Sequence, residues 1–146
     1  MEKETLLKIE QQLVKYSKLM PHTTIIVLYK GKRIPKYCTA MPRDPKPPSK
    51  IVLKGNLSKI ILTAVKNNSS IRDGAIMIKM DCNPPIITGF SFRLYPPSLA
   101  SKRKVNKGSG YNSAIDFSYI DGVICVYFIN NTCISKFIKG EEVELC

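Results

Sequence analysis

The side chains able to do covalent or acid–base chemistry are few in this sequence of 146 residues, and they are scattered. His22 is the only histidine and sits between Pro21 and Thr23. Catalysis by proton transfer or by a nucleophile needs two or three groups that orient one another. No serine or cysteine stands beside His22 in a strand–turn–helix elbow. A metal-dependent nuclease would need several carboxylates converging on its ions. Asp73, Asp81, Asp116 and Asp121 are the residues it would draw on. Asp73 and Asp121 each precede a glycine, an ordinary turn role, and Asp81 stands just before a proline turn. Asp116 interrupts an apolar run but alternates toward solvent. Gly108-Ser109-Gly110, near Lys104 and Lys107, lacks the Gly-Lys-Ser/Thr ending of a phosphate loop and is followed by no convincing helix. The five cysteines, Cys38, Cys82, Cys125, Cys133 and Cys146, fit neither zinc-ligand nor dithiol spacing. The sequence therefore assigns no catalytic residue, no metal site and no cofactor.

Charge is the informative property. Lys and Arg number 23 against 11 Asp and Glu, a net charge of +12. The excess is concentrated. Residues 30–54 carry eight basic side chains, Lys30, Lys32, Arg33, Lys36, Arg43, Lys46, Lys50 and Lys54, against Asp44 alone. A second cluster is Lys102, Arg103, Lys104 and Lys107. The chain then turns acidic, with Asp121, Glu141, Glu142 and Glu144 in its last stretch. A merely solubilising surface would spread its charges more evenly, so this distribution points to a polyanionic partner.

Tyr29, Tyr37, Tyr95 and Tyr111 flank the two clusters, and aromatic rings beside cations make stacking platforms for single strands. The first expectation is a non-enzymatic nucleic-acid-binding protein, for DNA or RNA, tolerant of sequence. The twelve clustered cations with Tyr37 and Tyr111 would grip the phosphate backbone. No zinc-finger, homeodomain, zipper or RNA-recognition signature supports base readout. The second expectation uses the same charge on anionic lipid headgroups, as a membrane-associated matrix or assembly protein would. The stretch Tyr95-Pro96-Pro97-Ser98-Leu99 resembles the late-domain peptides of budding viruses, which places a viral protein among the expectations. A metal-dependent nuclease is the third reading.

The elements that must carry these residues are short. Leu6, Ile9, Leu13, Tyr16 and Met20 recur at steps of three and four, widened by Leu7, Val14 and Leu19, and predict a helix over 3–19. Thr23–Tyr29 is a β-branched strand. Lys32–Cys38 reads as its return strand, demoted to an edge by Pro35. Residues 41–49 hold four prolines and form a loop. Ile51–Leu53 is a short strand, and Asn56 or Ser58 caps a second helix over 57–67. Ala75–Cys82 alternates as a half-buried strand, followed by a strand over Ile86–Tyr95. Residues 96–112 read as an irregular basic loop. Ile115, Phe117 and Tyr119 then alternate as a strand, and Asp121-Gly122 predicts a tight hairpin to Val123–Ile129. Cys133–Lys139 is a last strand, and residues 140–146 an acidic, frayed tail.

This pattern predicts an α+β fold: a predominantly antiparallel sheet with the N-terminal helix and the 57–67 helix packed on one face. It is expected to be a single basic domain over 1–146. The broad stripe of the first helix and the exposed strand edges predict a homo-oligomer, specifically a homodimer. Unpaired, buried thiols and a charged start without an export signal predict an intracellular protein, cytoplasmic or nuclear, or peripheral to a membrane.

Overall fold

A computed structural model describes residues 2–18, 23–99, 104, 107–130 and 133–145. His22, Lys102, Arg103 and Cys146 lie outside the described residues. Eight strands form one sheet, all but one of its pairings antiparallel. They are β1 (Thr24–Tyr29), β2 (Cys38–Ala40), β3 (Ile51–Val52), β4 (Ala75–Lys79), β5 (Ile86–Leu94), β6 (Val123–Ile129), β7 (Ile134–Ile138) and β8 (Glu141–Glu144). The order across the sheet is β2-β5-β4-β1-β6-β7-β8, with β3 also paired to β5. Among the described residues only β1 and β4 run parallel.

Two helices, α1 (Glu2–Ser17) and α2 (Leu57–Asn67), pack together on one face, so the expected α+β architecture is present. The stripe of α1 buries Ile9, Leu13 and Tyr16 against Ile26, Leu28 and Tyr127 of the sheet. Leu7, expected to widen the stripe, is 57% exposed. Asn56 caps α2, its side chain accepting from the Ser58 and Lys59 amides. A Gln12 side chain from α1 accepts from the Leu57 amide at 2.6 Å, which ties the two helices together.

The opposite face carries an element the sequence pattern conceals. Residues expected as the end of a loop and then a strand form a helix, α3 (Gly108–Phe117). Tyr111, Ala114 and Ile115 pack on Val27, Met77 and Val126. The side chain of Asn112 takes the place of missing local pairings. Its Oδ1 accepts from the Lys104 amide at 2.8 Å, and its Nδ2 donates to the carbonyls of Lys104 and Gly108 at 3.0 Å each. Asp116, expected to face solvent, is buried and accepts from the Leu99 amide at 3.1 Å. The expected hairpin at Asp121-Gly122 is instead the turn from α3 into β6, closed by Val123 N–H on the Ile120 carbonyl. With helices on both faces, β1 and β4 are buried on both sides, and the half-buried pattern read over 75–82 gives way to continuous burial.

Three further expectations change. β1 pairs with β4 and β6, not with a return strand after Lys30-Gly31. Residues 30–37 cross the α3 face instead, with Ile34 packed there, and the strand that follows joins β5. The acidic tail is not wholly frayed: residues 141–144 form β8 on β7. Cys38, Cys82 and Cys125 are free thiols, whereas Cys133 is disulfide-bonded, which departs from the expectation of unpaired cysteines throughout.

Candidate functional site

The basic segment 30–54 wraps one edge of the sheet. It leaves β1, crosses the α3 face, pairs through β2 with the C-terminal half of β5, and returns through β3 to its N-terminal end. Asn68 of α2 holds the proline-rich stretch by donating to the Pro45 carbonyl at 2.7 Å. Within this wrap Lys30, Lys32, Arg33, Lys36, Lys46, Lys50 and Lys54 are exposed and make no ion pair among the described residues. The far edge, β8, exposes Glu141 and Glu144. Charge is therefore uneven across the sheet: the segment around β2 and β3 carries exposed, unopposed lysines, whereas at the β8 edge Glu141, Glu142 and Glu144 are offset by Lys104, Lys107 and Lys139.

Three of the sequence-predicted site residues have structural employment. Arg43 donates from Nε to Ser91 Oγ at 2.9 Å and approaches Asp73 at 3.4 Å, binding the loop to the β4–β5 corner. Lys104 pairs with Glu142 at 3.1 Å, on the other side of the sheet from the first cluster. Tyr111 is buried, with its hydroxyl donated to Glu142 and its ring edge-on to Phe128 and Phe137. Burial first, and the Glu142 bond second, push the Tyr111 hydroxyl up to about 12. Lys107 stands 5.5 Å from the Tyr111 ring centroid. Tyr29 is buried too, while Tyr37 and Tyr95 form an exposed edge-on pair at 6.2 Å. The clusters thus differ in kind: the first, Arg43 apart, is exposed charge running from the turn after β1 to the β2/β3 edge, and the described part of the second braces α3 against β8.

Burial would raise the Glu142 carboxyl, but hydrogen bonds from Tyr111, Ser135 and Lys104 outweigh it and hold the group below its usual value. A carboxylate stabilised by folding contributes stability above its unfolded pKa and loses it as pH falls through the folded one. The tie of β8 should accordingly weaken on acidification below about pH 4. Glu142→Gln should lower stability by roughly 1–2 kcal/mol at neutral pH and flatten that acid limb, read by thermal melts from pH 7 to 3.

A concavity of about 420 Å³ opens on the α3 face between Asp73, Gly74 and Arg93 on one side and Ser109, Gly110 and Ser113 on the other. Gly108-Ser109-Gly110, read from sequence as lacking a following helix, forms the first turn of α3. Among the described residues no three His, Cys, Asp or Glu side chains gather as metal ligands. Asp73, Asp81, Asp116 and Asp121 are dispersed over separate turns and α3, so the nuclease reading finds no site.

No family model and no curated protein matches the chain. Its fold is similar to that of two bacterial proteins. One is a hypothetical membrane spanning protein from Bacillus cereus, 12% identical, with a TM-score of 0.65. That likeness covers 94% of this chain and 61% of the other, so this chain spans less than two thirds of that protein. The other is a double-cysteine mutant of DacA from Staphylococcus aureus, 16% identical, TM-score 0.53, covering 98% of this chain and 87% of that one. These likenesses correct the first functional expectation. The architecture matched is that of bacterial proteins, one of them described as membrane spanning, and not a nucleic-acid-binding fold. The structure adds to the correction: Tyr111 is buried, and Lys104 and Arg43 are engaged within the protein. A DNA or RNA partner and a viral nucleic-acid-binding role are therefore set aside. No helix among the described residues is long and apolar enough to cross a membrane.

Proposed function

We propose that this protein docks peripherally on anionic membrane surfaces, edge-on, through the basic segment 30–54. The observation that carries the reading is the uneven charge across the sheet. Lys36, Lys46, Lys50 and Lys54 flank β2 and β3, Lys30, Lys32 and Arg33 stand in the turn after β1, and all seven are exposed with no ion pair among the described residues, while Glu141 and Glu144 are exposed on β8. A planar anionic surface attracts the 30–54 segment more strongly than the β8 edge, where lysines and carboxylates offset one another, so the field sets orientation as well as affinity. Each Lys or Arg near such a surface contributes roughly 1 kcal/mol, so a handful suffices for reversible docking. The likeness to a bacterial protein described as membrane spanning agrees with a membrane setting for this fold.

The 30–33 turn is held rigidly enough to present its charges. The Lys30 amide donates to the Gly122 carbonyl at 2.8 Å, and the Gly31 amide donates to Asp81 at 2.9 Å. Co-sedimentation with phosphatidylcholine vesicles, with and without phosphatidylglycerol, tests the reading. Binding should require the anionic lipid and fall steeply as salt rises. Reversing Lys30, Lys32 and Arg33 to Glu should weaken it at least about tenfold. A protein that stays in the supernatant with anionic vesicles at low ionic strength would end the proposal.

A further inference from the structure

The basic edge holds a groove that charge alone does not explain. It runs between the proline-rich stretch and α2, with a volume of about 600 Å³. Its apolar walls are Pro48 and Ile51 on one side and Ile60 and Ala64 on the other. Ile60 and Ala64 lie four residues apart and so share a stripe of α2. Leu57 and Ile61 occupy the neighbouring stripe and are buried in the core. Ile51, Ile60 and Ala64 are half-buried: each packs against the core cluster with one side and lines the groove with what remains exposed. Lys54 and Lys59, both exposed, also line it. From residue 45 to 72 the chain carries Lys46, Lys50, Lys54, Lys59, Lys66 and Arg72 and no acidic residue at all. None of the residues lining the groove is acidic.

We infer that this groove seats one acyl chain of an anionic membrane lipid, whose headgroup lies against Lys54 and Lys59. The volume falls within the roughly 300–1,000 Å³ of small-molecule sites, enough for a chain withdrawn from the bilayer. The wall chemistry suits a hydrocarbon, and the acid-free, lysine-lined rim suits a phosphate. The inference rests on membrane docking for the source of the lipid, and it adds recognition of a single lipid to attraction by a charged plane.

Soluble short-chain lipids separate the two. Titration of ¹⁵N-labelled protein with monomeric dihexanoyl phosphatidylglycerol should give saturable shifts confined to residues 48–54 and 57–67. Glycerol phosphate, which has the headgroup without the chains, and dihexanoyl phosphatidylcholine should each bind at least tenfold more weakly. Thr63→Trp, which fills the groove from an exposed position, and Lys54→Glu with Lys59→Glu should each cost at least tenfold in affinity. Far-UV circular dichroism checks that they remain folded. Shifts spread over the surface, or variants that bind as wild type, would overturn the inference. So would decanoate binding as tightly as the phospholipid, since the occupant would then be a free fatty acid. The surface reading fails separately. Vesicle docking lost by the 30–33 reversal but kept by Thr63→Trp upholds it whatever the groove does. A protein that takes the short-chain lipid but ignores vesicles upholds the groove and removes the docking.

Discussion

Replacing Lys136 by Met should destabilise the protein at its α1–sheet junction by about 3–5 kcal/mol. Lys136 of β7 reaches across to Glu10 of α1, with the two side chains only 12% and 17% exposed. Glu10 also accepts from the Tyr127 hydroxyl at 3.0 Å, and the lysine stands 6.0 Å from the Tyr127 ring. Burial dominates in raising the Tyr127 hydroxyl, with Cys125 and Glu10 adding to it, so this phenol donates and does not ionise. Removing the lysine leaves a carboxylate in a largely dry site with one neutral donor. That loss exceeds the value of the pair itself, because an uncompensated buried charge costs more than its partner's attraction supplied. The double replacement Glu10→Leu with Lys136→Met should therefore recover most of the stability. Urea melts of the two variants decide the matter. A single mutant within about 1 kcal/mol of wild type would mean that the pair is solvated in solution.

The same junction marks how far the sequence could be read. Ile9, Leu13 and Tyr16 announced α1 because their spacing matches a helix with one buried side, and Asn56 announced the start of α2. The α3 helix was hidden by its neighbours in sequence. Ile115 and Phe117 alternate like strand residues, yet both are buried in a helix that also buries Asn112 and Asp116. A buried polar side chain breaks the apolar period, and here it is tolerable only because the backbone of residues 99, 104 and 108 satisfies it. The strand β8 could not be anticipated from Glu141-Glu142-Val143-Glu144, since its propensity is poor and β7 supplies its pairing. The basic segment was plain in the composition. Its wrapping around β5 was not, because that geometry depends on β2 and β3 both joining a strand far along the chain. Ile60 and Ala64 read as part of the core side of α2 and do pack there; that they also line a groove depends on Pro48 and Ile51 lying alongside, which residue spacing does not show.

Gly74→Ala should be strongly damaging although it adds only a single methyl group. Gly74 sits at φ +97° between Asp73 and the start of β4. A Cβ there would stand 2.7 Å from the Ser91 carbonyl carbon, 2.8 Å from the Ser91 Cα and 2.6 Å from the Met41 methyl. The methionine can swing away, but the backbone of a paired β5 cannot. Ser91 is itself held at φ 60°, its hydroxyl donated to the Asp73 carbonyl at 2.6 Å and accepting from Arg43. Moving it would break both bonds and disturb the β4–β5 corner that closes the α3-side concavity. Strain at the positive φ and the steric overlap each cost about 1–3 kcal/mol, so a loss of roughly 3 kcal/mol is expected. Gly55→Ala is the control: it too has a positive φ, +86°, but nothing lies within 4 Å of its Cβ. It should lose only about 1 kcal/mol, the conformational part alone. Equal thermal shifts for the two variants would show that the close approach of Ser91 to Gly74 is not a constraint on the fold.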